Sequence, residues 1–266
     1  YTSGTTGNPK GVRREPTSPE RQARIGELAM RSFGIGPGGV CAMTGPMYHS
    51  APGAYASLAM VLGNDIHLLP RFEPEELLQA IDEHKISHMH VVPTMFVRML
   101  RLPDAIKAKY DLSSLAHVIH GAAPCPPDAK KQMIEWWGDV IFEYYGSTEA
   151  GIVSTASSAD AIAKPGTVGR PLDGTLVRIY DDDGKVLGTG ESGEIYMTMN
   201  DLSDFTYHNK DDKRAEIERE GMVTNGDVGY MDEDGYLFLN DRKRDMIISG
   251  GVNIYPAEIE AALPAM

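Results

Sequence analysis

Over its first 160 residues the chain alternates stretches of helical period with short apolar runs. In "SPERQARIGELAMRSF" the positions Ile25, Leu28, Ala29 and Phe33 fall on one helical face, behind Ser18 as N-cap and Pro19 at the first helical position. "EPEELLQAIDEHK" repeats this with Pro74, Leu77, Leu78 and Ile81, and "ISHMHVVPT" predicts a buried strand ended by Pro93. "LAHVIHG" and "VIFEYYG" predict two more strands, separated by the helical "PDAKKQMIEWW". Strands alternating with helices imply an α/β layer.

From about residue 165 the texture changes. "TLVRIYDDDGKVLGTGESGEIYM" holds strand runs split by Asp-Gly and Gly-rich turns, and "DVGYMDEDGYLFLNDR" repeats that pattern. Hairpins of a β-barrel-like subdomain are therefore expected over 166–241, after an α/β part over 1–165. The remainder, 242–266, passes from a strand through a Gly-Gly turn into a helix. A Gly-rich loop opens the chain with no strand ahead of it, and the last helix has Ile259, Ala262 and Leu263 to bury. The expectation is the middle of a longer protein.

Composition narrows the function. With 42% hydrophobic and 24% charged residues the chain can bury a core. A net charge of −13 argues against a general nucleic-acid or anionic-membrane binder, which needs basic surface, though not against a small phosphate ligand. Cys41 and Cys125 give neither a disulfide framework nor zinc spacing. With no transmembrane run and no signal peptide in the sequence, the default location is a reducing cytoplasm.

Three stretches carry chemistry. In "TSGTTGNPKG" the glycines Gly4, Gly7 and Gly11 allow tight backbone, while Thr2, Ser3, Thr5 and Thr6 bring hydroxyls and Lys10 a compact positive charge, a set that can wrap a polyphosphate. The Walker spelling fails, because Pro9 stands where glycine would be required; the competing reading is a polar surface loop. "EYYGSTEAG" puts Tyr145, Thr148 and Glu149 at a strand end, where α/β proteins bind ligands. Glu149 is there either an Mg²⁺ ligand or a satisfied turn carboxylate. "TNGDVGY" offers Asp227 as an acceptor for two vicinal hydroxyls, whereas Asp232, Glu233 and Asp234 read as a solvated hairpin tip. Arg242, Lys243 and Arg244 alone would read as a solvated charge run.

In succession, "YTSGTTGNPKGV", "YYGSTEAG", "GDVGYMDEDGY" and "DRKRDMIISGGVNIYPAEIE" resemble the adenylate-forming superfamily, and the last of them its acyl-CoA synthetase branch. The resemblance implies a partial large domain of that fold with only the start of the C-terminal lid. It implies ATP, Mg²⁺ and CoA, and a small-molecule carboxylic acid as substrate. Thr2, Ser3, Gly4, Thr5, Thr6, Gly7 and Lys10 would embrace the β- and γ-phosphates, Thr148 the α-phosphate, and Glu149 the metal. Tyr145 would stack on adenine, with Gly121, Ala122 and Ala123 on its other side, and Asp227 with Arg242 would hold the ribose. His49, Val92, Thr94 and Met95 would line the acyl pocket, suited to a hydrophobic acid. Arg244 would sit at the hinge, and Gly250 and Gly251 at the CoA tunnel. The chain departs from the family pattern at Met222, Asn225 and Asp241, and the lid lysine of the family would lie beyond Met266. Two other readings stand beside the ligase: an enzyme that loads a carrier-protein phosphopantetheine, and a truncated ATP-binding remnant without catalysis.

Overall fold

The computed structural model describes residues 10–210, 212–242, 247–249 and 252–254. The chain runs through β1 (Val12–Arg14), α1 (Pro19–Phe33), β2 (Val40–Met43), α2 (Ser50–Val61), β3 (Asp65–Leu68), α3 (Pro74–His84) and β4 (His88–Val91). It continues with α4 (Pro93–Leu100), α5 (Asp104–Lys107), β5 (His117–His120), α6 (Pro127–Trp137), β6 (Ile141–Ser147), β7 (Gly151–Ala156), α7 (Ser158–Ala163) and β8 (Arg170–Pro171). After these come β9 (Thr175–Tyr180), β10 (Gly193–Met199), β11 (Phe205–Tyr207), α8 (Asp212–Glu216) and β12 (Glu218–Arg219). The last are β13 (Met222–Met231), β14 (Leu237–Arg242), β15 (Ile247–Ser249) and β16 (Val252–Ile254).

The expected helices start where their caps place them. The Ser18 side chain accepts from the Arg21 N–H at 3.3 Å, and Pro19, Pro74, Pro93 and Pro127 each occupy the first turn of a helix, where no backbone N–H is needed. Strands β2 to β6 pair in parallel, and β7 and β8 complete a seven-stranded sheet antiparallel to their neighbours, in the order β3-β2-β4-β5-β6-β7-β8. Leu77, Leu78, Phe96, Met99, Met133 and Trp137 from α3, α4 and α6 pack on one face. Phe33, Tyr55, Ala56 and Ala59 from α1 and α2 pack on the other. Each such large apolar side chain contributes about 1.5–3 kcal/mol by leaving water.

The β-rich part is a five-stranded antiparallel layer in which β13 joins β12, β10 and β14, with β9 outside β10. Its inner residues Ile179, Ile195, Met197, Val223 and Leu237 share a second core with Val153 and Tyr145 of the larger sheet. β15 pairs antiparallel with β16, so a strand and not a helix is the next described element after Ser249; Gly250, Gly251 and the residues after 254 lie outside those described. β1 pairs with β11, a short ribbon that ties the beginning of the chain to residues 205–207.

Buried polar groups lie inside the larger sheet. Lys130 of α6 forms an ion pair with Glu143 of β6, and its Nζ lies 3.4 Å from the Thr167 carbonyl oxygen. Burial pushes the Glu143 carboxyl above its usual range, against the pull of Lys130. His90 shares a 3.0 Å hydrogen bond with the Tyr144 hydroxyl, and His117 stacks on Phe142 with centroids 3.8 Å apart. Burial pushes both imidazoles down to about 4, and the fully buried His120 well below the usual histidine range. A histidine whose folded value is depressed stays neutral while the unfolded chain takes up its proton, so stability falls as pH drops from about 6.5 towards 4. At pH 5 the loss is roughly 2 kcal/mol for each of His90 and His117. Urea unfolding at pH 7, 6 and 5 measures this, and a midpoint that stays level across the range contradicts neutral buried rings.

Candidate active site

The parallel strands end on one edge of the sheet, and the chain leaves that edge through the segments that sequence reasoning singled out. Gly121–Pro124 follows β5, Val92 follows β4, the segment containing His49 follows β2, and Thr148 and Glu149 follow β6. Ligands bind beyond the carboxyl ends of strands in open α/β sheets, because loops and helix N-termini converge there.

Thr148 and Glu149 stand at the tip of a tight turn, residues 148–150, that reverses β6 into β7. The turn is held by the Ala150 N–H donating to Ser147 Oγ at 2.9 Å. It is also fastened from outside. The Arg14 guanidinium donates to the carbonyls of Thr148 (2.6 Å), Glu149 (2.8 Å) and Ser203 (2.7 Å), and the Thr148 hydroxyl donates to Ser50 Oγ at 3.0 Å. Burial lowers the Arg14 pKa, while Glu149 and Asp204 pull it back up. The Tyr207 hydroxyl of β11 donates to Glu149 Oε1 at 2.8 Å, and Lys10 Nζ lies 4.7 Å from the centroid of the Tyr207 ring. The β1–β11 ribbon thus brings Lys10 and Glu149 to one tyrosine.

A second contact joins the two layers. The Tyr145 hydroxyl donates to Asp227 Oδ2 at 2.8 Å, and Asp227 is paired in register with Arg242 across β13 and β14. Tyr145 is 7% exposed and belongs to the second core. Beside it, Gly121 leaves room for Tyr144: a Cβ there would lie 2.6 Å from the Tyr144 ring and 2.7 Å from its carbonyl oxygen. Ala122 takes a left-handed backbone conformation, φ 67°, which strains an alanine, and both Ala122 and Ala123 are exposed.

The residues expected at the acyl pocket differ in exposure. His49 is exposed at the N-cap of α2, its ring 4.7 Å from that of Tyr48, next to the Ser50 that accepts from Thr148. Val92 caps α4 half-buried, and Met95 packs into the core beneath that helix. Thr94 is exposed on a cleft of about 340 Å³ between the start of α4 and the segment Pro124–Pro126, with Arg98 and Arg101 on its wall. Thr2, Ser3, Gly4, Thr5, Thr6, Gly7, Arg244, Gly250, Gly251 and the Arg242 side chain lie outside the described residues.

Among the described residues no three His, Cys, Asp or Glu side chains come together around a metal. Glu149, with one oxygen engaged by Tyr207, suits an ion that takes a single protein carboxylate and draws its other ligands from phosphate and water, as Mg²⁺ does. Arg14, Ser50 and Tyr207 were not legible as site residues. Their partners lie 134, 98 and 58 positions away, and nothing in "VRR" or "DFTYHNK" points to them.

The parallel strands thus end beside a turn carboxylate, with a lysine and a tyrosine–aspartate pair close by, at the edge where open α/β sheets bind ligands. The chain belongs to the AMP-binding enzyme family, whose model matches residues 1–203. It is 35% identical over 265 residues to a long-chain-fatty-acid–CoA ligase of Bacillus subtilis, covering 99% of this chain and 47% of that protein. The amide bond synthetase of Marinactinospora thermotolerans superposes with a TM-score of 0.85 at 30% identity, covering 97% of this chain and 52% of the other. The O-succinylbenzoate coenzyme A synthetase of Bacillus subtilis, solved with ATP and magnesium ion, gives 0.84 at 28% identity over 99% and 53%. The chain spans about half the length of the curated relatives it matches. Among the described residues no helix is long and apolar enough to cross a membrane.

Proposed function

We propose that this chain carries the nucleotide-binding and adenylating part of an ATP-dependent acyl-CoA synthetase. The observation that supports it most is the junction of Tyr145, Asp227 and Arg242 beside the turn that presents Thr148 and Glu149. Residues 1–165 would bind ATP and the acid, 166–241 would close the ribose side, and 242–266 would form the hinge and the beginning of the lid. Arg244 belongs to that hinge and Gly250 and Gly251 to the CoA tunnel.

The acid's carboxylate oxygen attacks the α-phosphorus of ATP; the bond to the β-phosphate oxygen breaks, and pyrophosphate leaves. Lys10 and the Gly-rich loop hold the β- and γ-phosphates, and Thr148 orients the α-phosphate. Bound at Glu149, Mg²⁺ would neutralise charge on the phosphate oxygens. The thiolate of CoA then attacks the acyl carbon, and AMP departs. Positioning and charge neutralisation carry most of the rate in such transfers. The acid is hydrophobic in this reading, with His49, Val92 and Thr94 nearest to it.

Pyrophosphate release and loss of free CoA thiol, measured with ATP, Mg²⁺ and a panel of fatty, aryl and steroid acids, test the reading. Acid-dependent pyrophosphate together with thiol loss supports it. Pyrophosphate without thiol loss points to a carrier-bound acceptor, and saturable ATP binding without pyrophosphate makes the chain a binding remnant. Asp227→Ala removes a charged acceptor and is expected to weaken ATP binding about tenfold or more in calorimetric titration. Unchanged affinity in that variant places the ribose elsewhere.

A further inference from the structure

Tyr207 touches both proposed charged elements of the phosphate site: its hydroxyl donates to Glu149 Oε1 at 2.8 Å, and its ring lies under Lys10 Nζ at 4.7 Å. It stands on β11, whose pairing with β1 runs Val12↔Tyr207, which brings it beside the strand that begins two residues after Lys10. Phe205, two residues back on the same strand, meets the Tyr207 ring edge-on at 5.5 Å and takes the Arg14 guanidinium over its face. Arg14 in turn holds the carbonyls of the turn that carries Glu149. One end of the ribbon therefore fixes the backbone of that turn and the other its carboxylate.

A lysine and a glutamate serving one Mg²⁺·triphosphate face an intrinsic conflict, since before the ligand arrives each is an attractive partner for the other. A tyrosine resolves this with two different surfaces. Its neutral O–H binds a carboxylate without neutralising it, and leaves the second carboxylate oxygen for a metal. Its face attracts an ammonium through the ring quadrupole without consuming the ammonium's donors. We infer that Tyr207 is a positioning residue of the phosphate–metal site, which aims Glu149 at the metal and holds Lys10 beside it. This rests on the reading of Glu149 as the metal-bearing carboxylate.

The role is separable from support of the fold because its two surfaces can be removed one at a time. Tyr207→Phe keeps the ring beneath Lys10 and loses only the hydrogen bond to Glu149. Tyr207→Leu loses both. Titrating wild type, the two variants and Glu149→Gln with ATP, with and without Mg²⁺, gives for each protein the factor by which Mg²⁺ raises nucleotide affinity. In Tyr207→Phe that factor is expected to fall about tenfold or more, the worth of a hydrogen bond to a charged group. Metal-free affinity and urea midpoint stay near wild type, which loss of mere structural support would not leave intact. In Tyr207→Leu metal-free affinity falls as well, by about threefold, as the cation loses its aromatic face.

The arms distinguish the two claims. If Glu149→Gln lowers the Mg²⁺ factor and Tyr207→Phe does not, the positioning role is overturned and the metal reading stands. If Glu149→Gln leaves the factor unchanged, the carboxylate is not the metal's and both claims fall. If Tyr207→Phe lowers metal-free and Mg²⁺-bound affinity equally, Tyr207 shapes the pocket without aiming Glu149, and the inference is wrong.

Discussion

Lys130→Met is expected to destabilise the protein by about 3–5 kcal/mol at pH 7, because it leaves the buried Glu143 carboxyl without its cation. The side chains of both partners are about 95% buried, so water cannot replace the lost ammonium. The size of the effect measures the stranded carboxylate and not the worth of the pair. Lys130→Met combined with Glu143→Leu, which fills the same space with apolar atoms, is therefore expected to recover most of the loss. The sign of the pH dependence gives a second check. Without Lys130 the Glu143 carboxyl, already raised by burial, rises further above its unfolded value. A group raised in this way is harmless at low pH, where it is protonated in both states, and costs stability as pH climbs through the folded value. The gap between variant and wild type should thus narrow from pH 7 to pH 5, while the wild type loses stability over that range through its buried histidines. Urea midpoints of the three proteins at the two pH values suffice. A single variant as stable as wild type at pH 7 contradicts the buried pair. The consequence reaches the site, since Glu143 lies on β6 two residues before Tyr145, the strand that delivers Thr148 and Glu149.

The elements legible in the sequence are those whose physics is local. Ser18 and Pro19 announce α1, the Leu77–Leu78–Ile81 spacing announces α3, and the Asp-Gly and Gly-rich turns announce the hairpins of the β-rich layer. α2 gives no such signal: "SAPGAYASLAMV" is apolar nearly all round, with Pro52, Tyr55, Ala56 and Ala59 buried and Met60 and Val61 exposed. A helix without an amphipathic stripe has no period to read. The short strands β1 and β11 are invisible for another reason. Three residues carry no pattern, and their pairing joins Val12 to Tyr207 across most of the chain's length.

The candidate site divides along the same line. Glycines, hydroxyls and a carboxylate grouped within eight to eleven residues stand out, since one loop has to supply several ligand contacts at once. The residues that fasten those loops, Arg14, Ser50 and Tyr207, are ordinary in their local context and meet the turn only through sheet register and helix placement. The expectation for Met95 shows the opposite case. An apolar residue just after a strand end is as suited to the core as to a pocket, and α4 turns it inwards among α3 and α6.

Gly146→Ala is expected to cost about 3 kcal/mol or more and to abolish nucleotide binding in whatever remains folded. Gly146 sits where β6 bulges against β7, paired with Ile152, one residue after Tyr145 and two before Thr148. A Cβ there would lie 2.0 Å from the Gly151 carbonyl oxygen and 2.8 Å from the Ile152 Cα. Both are backbone atoms of the facing strand, so no side chain can swing aside, and the hairpin must spread. Spreading it parts Tyr145 from Asp227 and draws the turn away from Arg14 and Tyr207, so the methyl acts on both halves of the site together. Gly26→Ala is the matched control. That residue lies within α1 with nothing within 4 Å of its added Cβ, so the same substitution is expected to stabilise by about 1 kcal/mol through helix propensity. Opposite shifts in urea midpoint for the two variants, with ATP titration of each, make the comparison. If Gly146→Ala unfolds like wild type and still binds ATP, the strands are further apart than described and the glycine is no steric requirement. If it loses binding but keeps its midpoint, the hairpin has moved without loosening the core, and the geometry of the 148–150 turn alone decides whether a nucleotide is held.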